Sequence, residues 1–130
     1  MVRIAARVLR AAPLILAALA ATVVPTAAAT GVREAPTVAI GEIAVADLPP
    51  QARAALDLIR QGGPYSYPRD GTVFGNFERR LPPRARGYYR EYTVPTPGLN
   101  HRGARRIVVG EGGERYYTDD HYRSFRRITP

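Results

Sequence analysis

The chain has 130 residues, a net charge of +8 and no cysteine, and all 19 of its basic residues are arginine. An arginine-rich surface favours polyanions and speeds their encounter. Without cysteine, and with one methionine and two histidines, the composition argues against a disulfide framework, a structural zinc site and a thiol redox centre. The length fits one small domain held together by packing and backbone hydrogen bonds.

A basic segment followed by a short apolar run opens the chain and predicts a secretory signal peptide. Three arginines precede residue 11, residues 11–24 are apolar apart from one threonine, and alanines at 27–29 form a small-residue cleavage site. A membrane-spanning helix needs roughly 20 apolar residues, so a membrane anchor is the weaker interpretation. We expect residues 1–29 to be removed together with their three arginines. The remaining chain, with a net charge of +5, should be secreted and extracellular.

The first part of the expected mature chain predicts one helix. Residues 30–45 form a leader with two strand-like runs, at 38–40 and 43–45, which either pair or belong to a linker. Asp47 is placed to cap a helix that the next two prolines open, and apolar residues recur at helical spacing from 52 to 59. The helix ends at Gly62, Gly63 and Pro64. We expect the folded domain to span residues 46–130.

Short alternating runs rich in tyrosine, glycine and proline follow Pro64 and are typical of strands and turns. The strand candidates lie at residues 72–74, 88–94, 104–109, 115–118 and 125–129, with a hairpin turn at Gly112 and Gly113. One helix followed by successive short strands predicts an α+β domain in which the helix packs on a twisted antiparallel sheet.

The alternation within two of these runs brings a carboxylate towards arginines. Residues two apart in a strand share a face, so Glu91 shares one with Tyr89 and Thr93. If the next strand pairs antiparallel, Arg106 can lie beside Glu91, with Arg102 entering from the connecting loop. Alone, such a cross-strand ion pair is a common surface feature worth about 0.2–1 kcal/mol.

The triplet Asp120-His121-Tyr122 adds an imidazole, and the combined set can cleave RNA without a metal. RNA carries its own nucleophile, the 2′-OH, and needs a base near it, an acid near the leaving 5′-oxygen and positive charge at the phosphoryl oxygens. Histidine protonates leaving groups near neutral pH, and glutamate near arginines stays ionised and can act as a base. Guanidinium groups stabilise the transition-state charge. Taken alone, His121 would be interpreted only as a surface or structural residue.

Several ordered segments resemble the bacterial guanyl-specific ribonucleases, the family of barnase and its relatives. The matching segments lie at residues 46–50, 67–74, 87–94, 96–98, 102–107 and 116–122, and Asn76 and Glu78 match between the second and third of them. The resemblance runs from about residue 47 to residue 128 and implies a helix on a twisted antiparallel sheet, with the active site on the exposed sheet face.

The resemblance also implies residue roles and a reaction. Glu91 matches the general base, His121 the general acid, Arg102 and Arg106 the phosphate-binding arginines, and Tyr122 an aromatic that lines the cleft. Attack by the 2′-OH gives a 2′,3′-cyclic phosphate, which water opens to a 3′-phosphate. DNA lacks this nucleophile and is excluded as substrate. No metal or other cofactor is implied.

The guanine-binding loop follows from the same resemblance. Glu78 matches the carboxylate that accepts hydrogen bonds from guanine, and backbone groups of the preceding residues read the base edge: Phe74, Gly75, Asn76 and Phe77. Asparagine tolerates the left-handed backbone of such a loop. The chain departs from the family at two of these positions, because Phe77 replaces a common arginine and Gly75 a bulkier residue. Phe77 either stacks on a base or simply packs.

Relatives of this kind are paired with a small acidic inhibitor of the barstar type, and we expect such a partner beside the RNA substrate. We also expect a monomer without stable membrane association. The alternative function is a secreted RNA-binding or interaction protein on the same fold, which binds RNA in a salt-sensitive way without turnover. A membrane-active basic protein is the weakest reading, because no amphipathic basic helix lies beyond residue 29.

N-terminal sequencing of the exported protein should begin near Thr30, because the small-residue site ends at Ala29. Recovery of an uncut, membrane-bound form would contradict the predicted signal peptide.

Overall fold

The computed structural model describes residues 39–130 and, upstream, residues 11–13, 15, 18, 20 and 21. The folded unit lies within Glu34–Pro130. Most of the predicted signal peptide, and residue 38 of the first strand-like run, fall outside the described residues. Among those that are described, no helix is both long and apolar enough to cross a membrane.

The predicted helix is present as α1, Pro50–Gln61, and it ends at Gly62 with a left-handed φ of 80° as expected. The expected capping role of Asp47 is wrong. Asp47 ends a 3-10 turn, and the helix N-cap is Pro49, without a side-chain hydrogen bond. The physical reason is proline: a residue before proline is driven from the helical to the extended region. Leu48 is extended for this reason, and the helix starts too late for Asp47 to reach it.

Six strands form one sheet. They are β1 Gly41–Ala44, β2 Thr72–Phe74, β3 Tyr89–Thr93, β4 Arg106–Gly110, β5 Arg115–Thr118 and β6 Arg126–Thr129, in the spatial order β1-β6-β5-β4-β3-β2. All neighbours from β2 to β6 pair antiparallel, which confirms the predicted α+β class.

The edge strand β1 differs from the expectation in two ways. It pairs parallel with β6, with Ile43 opposite Ile128, and not with another run of the leader. It also belongs to the sheet although it lies upstream of the expected domain start at residue 46. Almost the whole domain separates β1 from β6, so no tight turn imposes an antiparallel arrangement. Burial of Ile43 and Ile128 in the same core fixes the pairing.

The sheet is packed on both faces. The helix residues Ala52, Ala55 and Leu56 cover one face together with Ile107 and other apolar side chains. The opposite face carries a second cluster, formed by Leu81, Tyr89, Val108, Tyr116 and Phe125. The face expected to be open is therefore covered in part. The cleft at Glu91 occupies the remainder, between this second cluster and the loops.

Leu56→Ala should lower the free energy of unfolding by about 2–5 kcal/mol, because it removes a buried side chain from the contact between α1 and the sheet. Urea unfolding measures this. The control is Arg60→Ala, which removes an exposed ion pair with Asp57 and should cost less than about 0.5 kcal/mol. Equal effects for the two variants would contradict the packing of α1.

Candidate active site

Glu91 lies at the centre of β3, and only 4% of it is exposed. Its Oε1 atom accepts a hydrogen bond from Arg102 Nη2 at 3.0 Å, and its Oε2 atom accepts one from Tyr122 Oη at 2.9 Å. Arg69 Nε lies 3.6 Å from Oε1. The two hydrogen bonds and the nearby Arg69 cation replace the water that a buried carboxylate loses. The sheet therefore holds one carboxylate in a fixed position, with cationic and hydroxyl groups around it.

Arg102 reaches this carboxylate from the loop between β3 and β4, as the sequence predicts. Its Nε atom donates to Thr93 Oγ1 at 2.9 Å while Nη2 donates to Glu91. Two donors on one planar group fix the orientation of the guanidinium. Arg69 also belongs to the site, although the sequence did not predict a role for it. It lies in a turn before β2, and no local pattern links a turn arginine to a carboxylate on another strand.

Arg106 does not lie directly beside Glu91, contrary to the prediction. The register of β3 and β4 sets Val108 opposite Glu91 and Thr93 opposite Arg106. Tyr122 bridges the gap, because its hydroxyl accepts a hydrogen bond from Arg106 Nε at 3.1 Å and donates one to Glu91. The three side chains form one continuous hydrogen-bonded row.

The Arg106 guanidinium is buried below the ring of Tyr122, 5.8 Å from the ring centroid. Its Nη1 atom donates to the Arg105 carbonyl oxygen at 2.7 Å, and only 2% of the residue is exposed. No carboxylate forms a salt bridge with Arg106 among residues 39–130. Buried charges are ordinarily paired. The positive charge of Arg106 is not neutralised in this way and therefore acts on the neighbouring cleft.

Tyr122 is held as a hydrogen-bond donor. Burial raises the pKa of its hydroxyl, and the neighbouring Glu91 carboxylate raises it further. The hydroxyl proton therefore stays in place at neutral pH. The sequence predicts Tyr122 only as a cleft-lining aromatic, and the structure adds a direct contact with Glu91.

His121 and Tyr122 form a turn in which both residues have a left-handed backbone, with φ of 55° and 68°. Each such residue costs about 1–3 kcal/mol and requires surrounding contacts to hold it. The His121 N–H donates to the Ala104 carbonyl, and the Tyr122 N–H donates to Thr118 Oγ1, both at 3.1 Å. The imidazole is exposed and packs edge-on against the Tyr122 ring at 4.9 Å between centroids.

Asp120 secures this turn. Its Oδ1 atom accepts hydrogen bonds from Thr118 Oγ1 and the Ser124 N–H, both at 2.9 Å, and Oδ2 accepts one from Ser124 Oγ at 2.6 Å. Partial burial raises the pKa of Asp120, but the hydrogen bonds from Ser124 and Thr118 outweigh burial and lower the pKa to about 2. The sequence places Asp120 next to His121 without assigning it a role, and the structure shows a positioning residue.

The loop expected to bind guanine follows β2 and is closed by Asn76. The φ of Asn76 is 50°, which confirms the predicted left-handed backbone. Its side chain donates to the Leu81 carbonyl at 2.9 Å and accepts from the Leu81 N–H at 3.0 Å. Phe74 stacks on Tyr122, with ring centroids 5.1 Å apart. The loop therefore packs directly against the hydrogen-bonded row of Glu91, Tyr122 and Arg106.

A cleft of about 240 Å³ lies between this loop, Glu91 and Tyr122. Glu78 lines it with an exposed carboxylate, 3.4 Å from Arg80 Nε. Gly75 and Phe77 also line it. His101, the second histidine, has a structural contact instead: its Nδ1 atom accepts a hydrogen bond from the Gly103 N–H at 3.0 Å.

Comparisons with known proteins identify the family of this chain. The family model described as ribonuclease matches residues 32–129. Guanyl-specific ribonuclease St of Saccharopolyspora erythraea is 61% identical over 85 residues, which are 65% of this chain and 84% of that protein. The chain belongs to the microbial guanyl-specific ribonuclease family. Guanyl-specific ribonuclease Sa of Kitasatospora aureofaciens is 51% identical over 89 residues, covering 68% of this ribonuclease and 93% of the relative.

Solved structures of ribonuclease Sa2 resemble this ribonuclease in fold as well as sequence. A complex of Sa2 with mononucleotides has a TM-score of 0.70 and 51% identity, covering 71% of this chain and 96% of Sa2. A second structure, of Sa2 with guanosine-2′-cyclophosphate, has a TM-score of 0.68 and 50% identity, covering 71% of this chain and 98% of that one.

Asp120→Asn should destabilise the protein by about 1–2 kcal/mol at neutral pH, because a neutral amide accepts fewer of the three hydrogen bonds. A carboxyl whose pKa falls on folding contributes stability above its ordinary value of 3.8, and that contribution is lost as pH falls towards about 2. The difference between wild type and variant should therefore shrink between pH 4 and pH 2, as measured by urea unfolding.

The matched control is Asp119→Asn, which removes only an exposed ion pair with Arg126 and should have little effect at either pH. If the two variants behaved alike, Asp120 would not secure the His121 turn.

Proposed function

We propose that this ribonuclease cleaves single-stranded RNA after guanosine through a 2′,3′-cyclic phosphate and then hydrolyses that product to a 3′-phosphate. The observation that carries the proposal is the single cleft lined by Glu91, Tyr122 and the loop at residues 74–78. Relatives of 51–61% identity are named guanyl-specific ribonucleases, and Sa2 has been solved with guanosine-2′-cyclophosphate and with 3′-GMP.

In the first step Glu91 removes the proton from the 2′-OH, and the resulting oxygen attacks the adjacent phosphorus. The role suits a carboxylate fixed by Arg102 and Tyr122, since a base must be positioned within hydrogen-bond reach of its proton. His121 donates a proton to the departing 5′-oxygen from its exposed turn. The phosphate then forms a five-membered ring between the 2′- and 3′-oxygens, and the 5′-hydroxyl leaves.

In the second step the two residues exchange roles. His121 accepts a proton from water, the water oxygen attacks the cyclic phosphate, and Glu91 returns a proton to the 2′-oxygen. Arg102 and Arg69, both close to Glu91 Oε1, supply positive charge where the phosphoryl oxygens gain negative charge. Arg106 acts from below, through its charge and through the Tyr122 hydroxyl that it orients.

We assign guanine binding to the part of the cleft that the loop at residues 74–78 lines. Glu78 accepts hydrogen bonds from guanine N1–H and N2–H, which adenine and the pyrimidines do not offer in the same pattern. Its carboxylate is exposed and therefore accessible to a base. Backbone groups from Phe74 to Phe77 face the base edge, in a conformation that Asn76 maintains through Leu81.

The biological setting is proposed from the sequence. Cleavage of the predicted signal peptide delivers a secreted, extracellular monomer without stable membrane association. A cationic cleft suits an acidic inhibitor of the barstar type that protects the producing cell. A co-encoded acidic protein should suppress RNA cleavage in a purified mixture, and failure of any such protein to do so would count against this partner.

Purified mature protein should cleave a defined oligonucleotide containing each base once, chiefly after guanosine, and should release the cyclic phosphate before the 3′-phosphate. The chemistry assigned to these residues uses no metal, so cleavage should persist in excess EDTA. His121→Ala should lower the rate by about 10²–10⁴-fold, the usual effect of losing a positioned acid. Mass spectrometry of the products measures base preference and product order together.

His101→Ala is the matched histidine control, because His101 contacts only its own loop in the hydrogen bonds of the described residues, and the rate should fall far less. Salt-sensitive RNA binding with no turnover above the His121→Ala background would instead support the RNA-binding alternative.

A further inference from the structure

Phe77 is an aromatic side chain left in solvent. It is 84% exposed, and the other large exposed apolar residue in the range 39–130 is Leu99 at 45%. A ring so exposed contributes little to the core, so simple packing does not explain it. It belongs to the loop proposed to bind guanine and lines the same cleft as Glu78 and Glu91.

Gly75 provides the space that this ring occupies. A β-carbon at position 75 would lie 2.5 Å from the Phe77 ring. Gly75 is not among the glycines with positive φ, so its backbone does not itself demand glycine. The two departures from the family pattern are therefore one feature: the glycine allows the phenylalanine ring to lie against the loop.

One arginine lies near the ring of Phe77, and two more line a cleft together with it. The Arg86 guanidinium carbon lies 5.8 Å from the ring centroid. Arg79 and Arg84 line a second cleft of about 560 Å³ together with Gly75, Asn76 and Phe77, and no acidic residue lines it. An open aromatic ring among cationic side chains is the arrangement that proteins use to stack a base and hold its phosphates.

The polarity of the RNA chain follows from the proposed reaction. The nucleotide on the 3′ side of the scissile phosphate leaves past His121, and His121 lines neither of the clefts beside Phe77. The RNA that enters the second cleft is then the part on the 5′ side of the bound guanosine. It is attached through the 5′-oxygen of that guanosine.

We propose that Phe77 forms a subsite for the nucleotide 5′ to guanosine, in which the ring stacks on that nucleotide's base and the neighbouring arginines hold its phosphate. This rests on the proposed function and extends it to the base that precedes the cleaved guanosine. A large purine stacks better than a pyrimidine, and stacking is tolerant of base identity. The subsite therefore favours adenine or guanine over uracil without requiring either.

The test compares kcat/KM for two substrates, ApGpU and the same trinucleotide with an abasic 5′ ribose. Both have the same guanosine, the same scissile bond and the same number of phosphates. Wild type should cleave ApGpU about tenfold faster, within the range expected for one stacked base, and UpGpU should fall between them. The ratio is taken within each enzyme, so changes in guanine binding or catalysis cancel.

Phe77→Ala should bring the ratio close to one, and Phe77→Trp should keep it. Leu99→Ala, which removes the other exposed apolar side chain, should also keep it. A wild-type ratio near one, or a full ratio in Phe77→Ala, would overturn the subsite. Cleavage of GpU by wild type tests the proposed function separately, because it has no 5′ neighbour.

Discussion

A buried carboxylate on β3 organises the site, because Glu91 cannot be desolvated without partners. Removing a charge from water costs several kcal/mol unless donors replace the hydration. The partners come from three separate places in the chain: the turn with the Arg69 cation, and the loop with Arg102 and the turn with Tyr122, which both donate hydrogen bonds. One electrostatic requirement therefore ties three loops to a single strand. The same contacts pre-position positive charge and a hydroxyl around the group proposed as the base.

The imidazole is positioned by a different means. His121 sits in a left-handed turn whose conformation is held by Asp120, Thr118 and Ser124. The cost of the turn is offset by hydrogen bonds that do not touch the substrate. An exposed imidazole on a turn held in this way fits its proposed task, because an acid must lie within hydrogen-bond reach of the leaving oxygen.

Much of this could be predicted from the sequence, where the governing physics is local. Alternation along β3 put Glu91 and Thr93 on one face, and glycine at 62 ended the helix. Contacts between segments that are distant in the sequence were harder to predict. The side-by-side placement of Glu91 and Arg106 failed because alternation fixes a face but not a register. The parallel pairing of β1 with β6, and the approach of Arg69 to Glu91, depend on contacts between distant segments that leave no periodic pattern.

The proposed catalytic and base-binding residues lie on different elements of the fold. Glu91 and Arg106 lie on strands, whereas Phe77 and Gly75 belong to a loop that hydrogen bonds of Asn76 with Leu81 help to close. We expect the Glu91 carboxylate to act in catalysis as well as to hold the loops. Glu91→Gln keeps the shape and removes the base. The rate of GpU cleavage should fall by about 10²–10⁴-fold while the variant still binds 3′-GMP. A rate within a few-fold of wild type would show that Glu91 is only a structural ion pair.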